Sequence, residues 1–576
     1  MISNVSFDPL TDPLSQQEDS LPPDTGLTGG KNAGKTRVKD EYLADWRRFR
    51  RDILSSHSSC SSTNLPAITI RPGENSARHL TVQEFTADLE AKQTEMVTRW
   101  GEDDRVEALK IIIQALKSLS DTTSVRFYPA KFFMVLDMLA AFVDLVEARL
   151  ITLEPEAARE VAKNWLYKIS SIREMVPRFF LETAFTRFEE FYSEFKDDST
   201  FGRLSETIRG MGNPLLAVYS RMFLSRACSV SSGLDQETQK NHHDEISIVL
   251  NSLRREKPRT FEKITFEDYI AILKPGISWN TFLVTRVHSD PSVLEMMKEL
   301  NYSSEEVSAL MLESFLLHIS GDFSSANTGF LLEKCERVAS ADILAGLGRA
   351  LLRAQSGIAR AEEVLATSWT ALSALPSLAQ FLSCAAVWLE FAATHFQPRE
   401  LNKLLGLVIK RINKDRKEEE NIPPVFNDEL RDLLTRVVRR RAPRVTAVLR
   451  MQNFFSLFSL ITREEVKAGT AKEVLEQLVS EDIEPSEESL VHDVLLSLSS
   501  VLASSVTALT SRDETRQVSA LIVNAVARCS LMPDINKHLS FLTSLRSAPS
   551  SGPGPPVLSL TAGPCSPTWT SWRPPW

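Results

Sequence analysis

From Thr81 onward, apolar residues return every three or four positions, and that rhythm governs most of the chain. Between Glu102 and Ser120 it falls on Leu109, Ile112, Ile113, Leu116 and Leu119, the spacing of one buried helix face. Phe132, Leu136, Leu139, Val143 and Val146 repeat it after Pro129, a residue suited to a first helical turn, where its missing N–H has no intrahelical partner anyway. Thr81 and Glu84 form a capping-box pair that opens a further helix, running to about Trp100. Comparable segments are predicted at 155–170, 172–195, 202–210, 214–229, 243–255, 292–318, 325–335, 339–355, 358–372, 377–395, 398–413, 427–441, 444–461, 470–480, 488–510 and 515–530. No alternating, strand-like run competes with them. Consecutive helices of roughly 12–20 residues joined by short polar turns bury their faces pairwise against their neighbours. The predicted fold is therefore all-α, a HEAT-like helical-repeat α-solenoid with an irregular period of about 35–45 residues per helix pair.

The rhythm fails at both ends. Residues 1–76 are rich in Ser, Pro, Asp, Gly and Thr, too poor in periodic apolar positions to offset the entropy of folding, and are predicted to be a disordered N-terminal tail. The scaffold is expected over 77–546. From Ser547 the chain turns to Ser, Pro and Gly and finishes Trp569-Thr570-Ser571-Trp572-Arg573-Pro574-Pro575-Trp576, with no helical period. Solenoids close with a polar-faced capping repeat, so 547–576 is expected to be a disordered, non-native tail from an out-of-frame or mis-spliced reading, in a natural protein that continues.

Composition narrows the function classes. A net charge of −9 and a pI near 5.7, with no Lys/Arg stripe interleaved with aromatics, argue against nucleic-acid binding. The six cysteines are scattered without a Cys-x-x-Cys pair, the pattern of reduced, mostly buried thiols. No run of 18 apolar residues is present, so membrane association is expected to be peripheral only.

Candidate chemistry is sparse. Gly29-Gly30-Lys31-Asn32-Ala33-Gly34-Lys35-Thr36 matches the phosphate-binding P-loop letter for letter, but Asp19 to Thr25 cannot supply the strand that must precede it, and it reads as a Gly/Lys linker. His242-His243-Asp244-Glu245 has metal-type ligands, yet neighbours on a helix point about 100° apart, and it reads as a solvated helix start. His395, near Trp388 and Phe391, reads as a packed histidine. Arg436, Arg439, Arg440, Arg441 and Arg444 read as a solvated face near a helix C-terminus, with contact to an acidic partner or anionic lipid as the functional alternative. With no catalytic constellation, no metal set and no cofactor motif in its proper context, the chain is expected not to be an enzyme and to need no cofactor.

Two features suit partner binding. Pro177-Arg178-Phe179-Phe180-Leu181-Glu182 sets a Pro-Arg pair against three large apolar residues, a rigid apolar corner for docking a protein. Pro9-Leu10 and Pro13-Leu14 repeat an Asp-Pro-Leu element, in which a pre-extended proline with an apolar neighbour can plug a pocket. Ile208-Arg209-Gly210-Met211-Gly212-Asn213-Pro214-Leu215 reads as a tight helix-to-helix corner.

Together with Ala108 to Gln114, Ser120 to Thr122 and Phe127 to Phe132, the segments Val176 to Glu182 and Ile208 to Leu215 resemble the large subunit of the retriever complex, a distant relative of the vacuolar-sorting large subunit of retromer. The likeness continues through Ala386 to Glu390 and His395-Phe396 to His538 to Phe541, covering roughly 80–546. What the resemblance implies is a non-enzymatic scaffold, cytoplasmic and peripherally on endosomes, that recycles integral-membrane cargo to the plasma membrane. It implies contact of an arrestin-like small subunit with Pro177, Arg178, Phe179, Phe180, Leu181 and Glu182. It also implies a phosphoesterase-fold small subunit on the C-terminal solenoid, reached by the tail through Pro9, Leu10, Pro13 or Leu14. Coiled-coil and COMM-domain proteins of the Commander assembly and a sorting nexin cargo adaptor would complete the set. The Pro/Trp tail stands where the family's last helical pairs belong, which bears on the phosphoesterase-fold subunit. The competing reading is another helical-repeat trafficking or transport adaptor.

Overall fold

The computed structural model describes residues 43–55, 68–70, 78–80, 82–122, 124–188, 191, 199–231, 236–255, 265–299, 305–338, 340–354, 357–358, 360–416, 426–441, 445–480, 488–505, 512–528, 539–540 and 543. The chain divides into two compact units, Met1–His318 and Ile319–Trp576.

The first unit holds α1 (residues 43–55), α2 (Val82–Gly101), α3 (Arg105–Lys117), α4 (Tyr128–Thr152), α5 (Pro155–Ser170), α6 (Met175–Phe185), α7 (Ser199–Arg209), α8 (Pro214–Ser231), α9 (Gln236–Arg255), α10 (Phe266–Val287), α11 (Asp290–Glu299) and α12 (Glu305–His318). α4 is apolar nearly all round and is buried accordingly, from Tyr128 and Phe132 to Val146 and Leu150. It starts with Pro129 in its first turn, and α3 starts where the Asp104 carboxylate accepts a bond from the Glu107 N–H (3.2 Å).

Two helices of this unit were not predicted. The stretch 1–76 was expected to be a disordered tail, but 43–55 is a helix seated in the core. Trp46 packs edge-on against Trp279 (4.9 Å between centroids) and under the Arg226 guanidinium (4.9 Å), while Arg50 grips Asp137 with two bonds of 2.8 and 2.6 Å. Three core residues, Trp46, Ile53 and Leu54, among arginines and aspartates were too few to register as a period. A short antiparallel ribbon also departs from the all-helical pattern, β1 (Ile68–Ile70) pairing with β2 (Arg78–Leu80) in the register Ile68↔Leu80.

The second unpredicted helix is α10, absent from the sequence-based helices because Lys274-Pro275-Gly276 reads as a break. The helix continues through it. Pro275 removes one backbone donor, and nearby the Tyr219 hydroxyl donates to the Ile272 carbonyl at 2.9 Å. Gly276 fits closely against its neighbour, since a Cβ there would meet Val218 Cγ1 at 2.7 Å.

The second unit holds α13 (Gly321–Ala326), α14 (Thr328–Val338), α15 (Ala341–Leu352), α16 (Ala361–Ser373), α17 (Leu378–His395), α18 (Pro398–Arg416), α19 (Asn427–Arg441), α20 (Val445–Leu449), α21 (Gln452–Ser459), α22 (Glu464–Val479), α23 (Glu488–Ser505) and α24 (Arg512–Arg528). Side-chain bonds fix how they run. Trp388 Nε1 reaches Leu344 O, Arg436 reaches Glu390, Arg440 reaches Thr394, and Arg439 reaches Glu473. Higher numbers always meet higher numbers, so α15, α17, α19 and α22 form one parallel row. The intervening α18 and α21 meet each other through Asn402 and Asn453 (2.7 Å) in a second layer. A row of like-directed helices backed by their return helices is a helical-repeat stack.

Candidate functional site

α6 carries the docking segment singled out in the sequence. Pro177 is its third residue, where no intrahelical bond is lost, and the helix closes its first turn from Arg178 N to Glu174 O (3.3 Å). The three large apolar residues do not form a surface. Phe179, Phe180 and Leu181 are 1%, 0% and 0% exposed. Phe180 sits at the centre of an aromatic cluster with Phe179 (5.2 Å), Phe223 (5.5 Å) and Phe132 (6.0 Å), which continues to Tyr219 and Tyr128. The expected apolar corner is thus corrected. Consecutive bulky residues on a helix point around most of its circumference, and α6 is enclosed on nearly all of it.

What the segment presents outward is polar. Glu182 is buried and accepts bonds from Arg178 Nε and Arg203 Nη1, both at 2.7 Å, and these two guanidiniums are about half exposed. Two cations share one carboxylate, so the rim is positive. In the first turn of α6 Met175 is 41% exposed, and just before it Glu174 pairs with Lys117 at 2.5 Å; on the preceding helix, α5, Tyr167 is 79% exposed. The corner at Ile208 to Leu215 lies alongside and behaves as a turn. Asn213 caps α8 by accepting from Leu215 N and Leu216 N, and its amide donates to Thr122 Oγ1 at 2.7 Å. Met175 and Tyr167 were missed by sequence reasoning, although an unpaired apolar residue on the polar side of each helix was a usable signal.

The remaining candidates resolve as follows. Pro9, Leu10, Pro13, Leu14, the Gly29–Thr36 segment and 547–576 lie outside the described residues. His242 and His243 are not a solvated helix start; they lie inside α9 and are 0% and 3% exposed. His242 bridges Ser225 Oγ (3.0 Å) and Ser205 Oγ (3.2 Å), and burial beside Arg221 pushes its imidazole down to about 4. Glu245 pairs with the buried Arg221 and with Arg209. His242 therefore belongs to a structural polar network, whereas His243 packs against Phe315 (5.3 Å) with neither ring nitrogen hydrogen-bonded, and no cluster of three or more metal-type ligands occurs among the described residues. His395 packs against Phe391 (4.6 Å). The arginine cluster is not simply solvated either: Arg436 holds Glu390 and Asp432, and Arg439 holds Glu473.

This arrangement, buried aromatic and polar networks inside stacked helices with charged side chains on their rims, defines a helical-repeat protein. The chain belongs to the VPS35L family, whose model matches residues 53–155 and 151–272, with the VPS35L C-terminal domain matching 289–551. It is similar to the "VPS35 endosomal protein-sorting factor-like" proteins of Danio rerio (28% identical over 497 residues) and Homo sapiens (27% over 494), each match covering 81% of this chain and 50% of the relative. The protein of the same name from Dictyostelium discoideum is 26% identical over 603 aligned positions, covering 94% of this chain and 59% of the relative. The chain spans about half the length of the curated relatives it matches. No described helix is long and apolar enough to cross a membrane.

Proposed function

We propose that this chain is the scaffold subunit of an endosomal retrieval complex of the retriever type, within the Commander assembly, that returns integral-membrane cargo from endosomes to the plasma membrane. The observation that carries the reading is the family match to both halves of the chain, 53–272 and 289–551. On this reading the protein is cytoplasmic and peripheral on endosomes, a sorting nexin selects the cargo, and coiled-coil and COMM-domain proteins join the assembly. A phosphoesterase-fold subunit docks on the second unit, helped by Pro9-Leu10 or Pro13-Leu14.

The arrestin-like subunit docks at the Pro177–Glu182 segment through its rim. With Phe179 and Phe180 in the core, contact falls to Arg178, its partner Arg203, and the exposed Met175. Co-purification of the arrestin-like subunit tests this. Met175→Asp, which leaves the Arg178–Glu182–Arg203 pairing intact, should abolish capture while leaving the helical circular dichroism and melting midpoint unchanged. Capture at parental levels would remove the site, and failure of the parent to capture any such subunit would remove the retriever reading.

A further inference from the structure

At one end of the parallel row in the second unit, arginines gather from helices far apart in sequence. Arg440 donates to Thr394 Oγ1 (2.8 Å) and to Leu352 O (3.5 Å), which ties the C-terminal end of α19 to those of α17 and α15. Arg349 lies on the last turn of α15, close enough to Arg353 that its charge, added to burial, lowers the Arg353 pKa. Arg353 donates to Ile319 O at 3.2 Å and Arg441 to Phe396 O. The sequence cluster is thus re-sorted: Arg436 and Arg439 are taken up by carboxylates, whereas Arg349 and Arg440 have no ion-pair partner among the described residues.

Cations at helix C-termini are held there by the macrodipole, so part of this charge is structural. Each helix end carries only about half a negative charge. The ends of α15, α17 and α19 therefore offset about one and a half of the charges on Arg349, Arg353, Arg440 and Arg441, and a positive surplus is left on a chain whose net charge is −9.

We propose that this arginine cluster, centred on Arg349 and Arg440, docks an acidic segment of a partner protein, a run of aspartate and glutamate side chains. The ligand class follows from the side chains. Every cation is an arginine, whose planar fork binds a carboxylate through two parallel bonds, and the Arg440 fork is already fixed by its bonds to Thr394 and Leu352. An anionic membrane would be served as well by lysines. The large exposed apolar side chains described in this unit, Leu407, Val523 and Leu539, lie on none of α15, α17 and α19, so nothing there would enter a bilayer. The site is independent of the α6 rim and of the identity of the sorting complex.

The test uses the full chain and a fluorescent Glu/Asp-rich peptide of about ten residues, read by anisotropy. Saturable binding is expected, weakening as salt rises, and weakening about tenfold or more in Arg349→Glu and in Arg349→Gln combined with Arg440→Gln. Arg349 makes no described hydrogen bond, so Arg349→Glu should retain the parental circular dichroism. Arg463→Gln, at the opposite end of the row, should bind as the parent does. No saturable binding of the peptide, binding undiminished by Arg349→Glu, or binding only to vesicles containing phosphorylated phosphatidylinositol would overturn the proposal.

Discussion

At the scale of single residues, close contacts decide which substitutions the protein tolerates. A Cβ on Gly321 would lie 2.2 Å from the Arg353 carbonyl oxygen and 2.3 Å from its carbon, backbone against backbone, with no side chain free to yield. Gly321→Ala should therefore destabilise the second unit by about 2–3 kcal/mol in urea unfolding, at the upper end of ordinary overpacking. Gly276 is more forgiving, because the atom in its way is a valine methyl. Phe180→Ala removes the centre of the α6 aromatic cluster and should lower stability by about 3–5 kcal/mol, measured as a shift of the denaturation midpoint at constant slope. His242 sets a pH dependence. Its folded pKa of about 4 lies below the ordinary 6.5, so the unfolded chain takes up a proton first as pH falls. The contribution is whole above pH 6.5 and is lost progressively down to about 4, on the order of 3 kcal/mol. His242→Gln should flatten the melting temperature between pH 6.5 and 4.5 relative to the parent, and an unchanged slope would show that other groups govern it.

At the scale of elements, periodicity made most helices legible, and burial explains where it did not. α17 was read almost to the residue and α4 at its start, since each places large apolar side chains at helical spacing over five turns or more. α10 was hidden by Pro275-Gly276, whose local preference for a break is overridden by packing against α8. Tyr219→Phe would leave the Ile272 carbonyl without its side-chain donor and should cost about 1–3 kcal/mol, seen as faster amide exchange along α10. α1 was hidden because only Trp46, Ile53 and Leu54 of its residues reach the core. The candidate site was legible as a segment but not as a surface: Pro177 to Glu182 marks the place, while which side chains face out depends on the helices that enclose α6. Trp46→Ala should release α1 first, giving rapid exchange at residues 43–55 with α4 still protected.

At the scale of the whole molecule, α1 fixes where the N-terminal segment departs. From Leu14 to residue 43 the chain can span at most about 100 Å. On the proposed reading, Pro9–Leu14 is thus confined to about that radius around the first unit and would meet its subunit at a raised local concentration. Leu10→Ser with Leu14→Ser should weaken co-purification of the phosphoesterase-fold subunit without moving the melting temperature.

The like-directed run of α15, α17, α19 and α22 has a bearing on how such a stack can grow. Duplicating one helical hairpin would set another carbonyl-rich terminus against the same edge, and the sign of the field there would never alternate. Arg349 and Arg440 answer that field on α15 and α19, whereas α22 has no basic residue in its last turn, so a copy of α15 or α19 would carry its own compensating charge and a copy of α22 would not. Heritable lengthening of the stack is in this sense easier from some of its hairpins than from others.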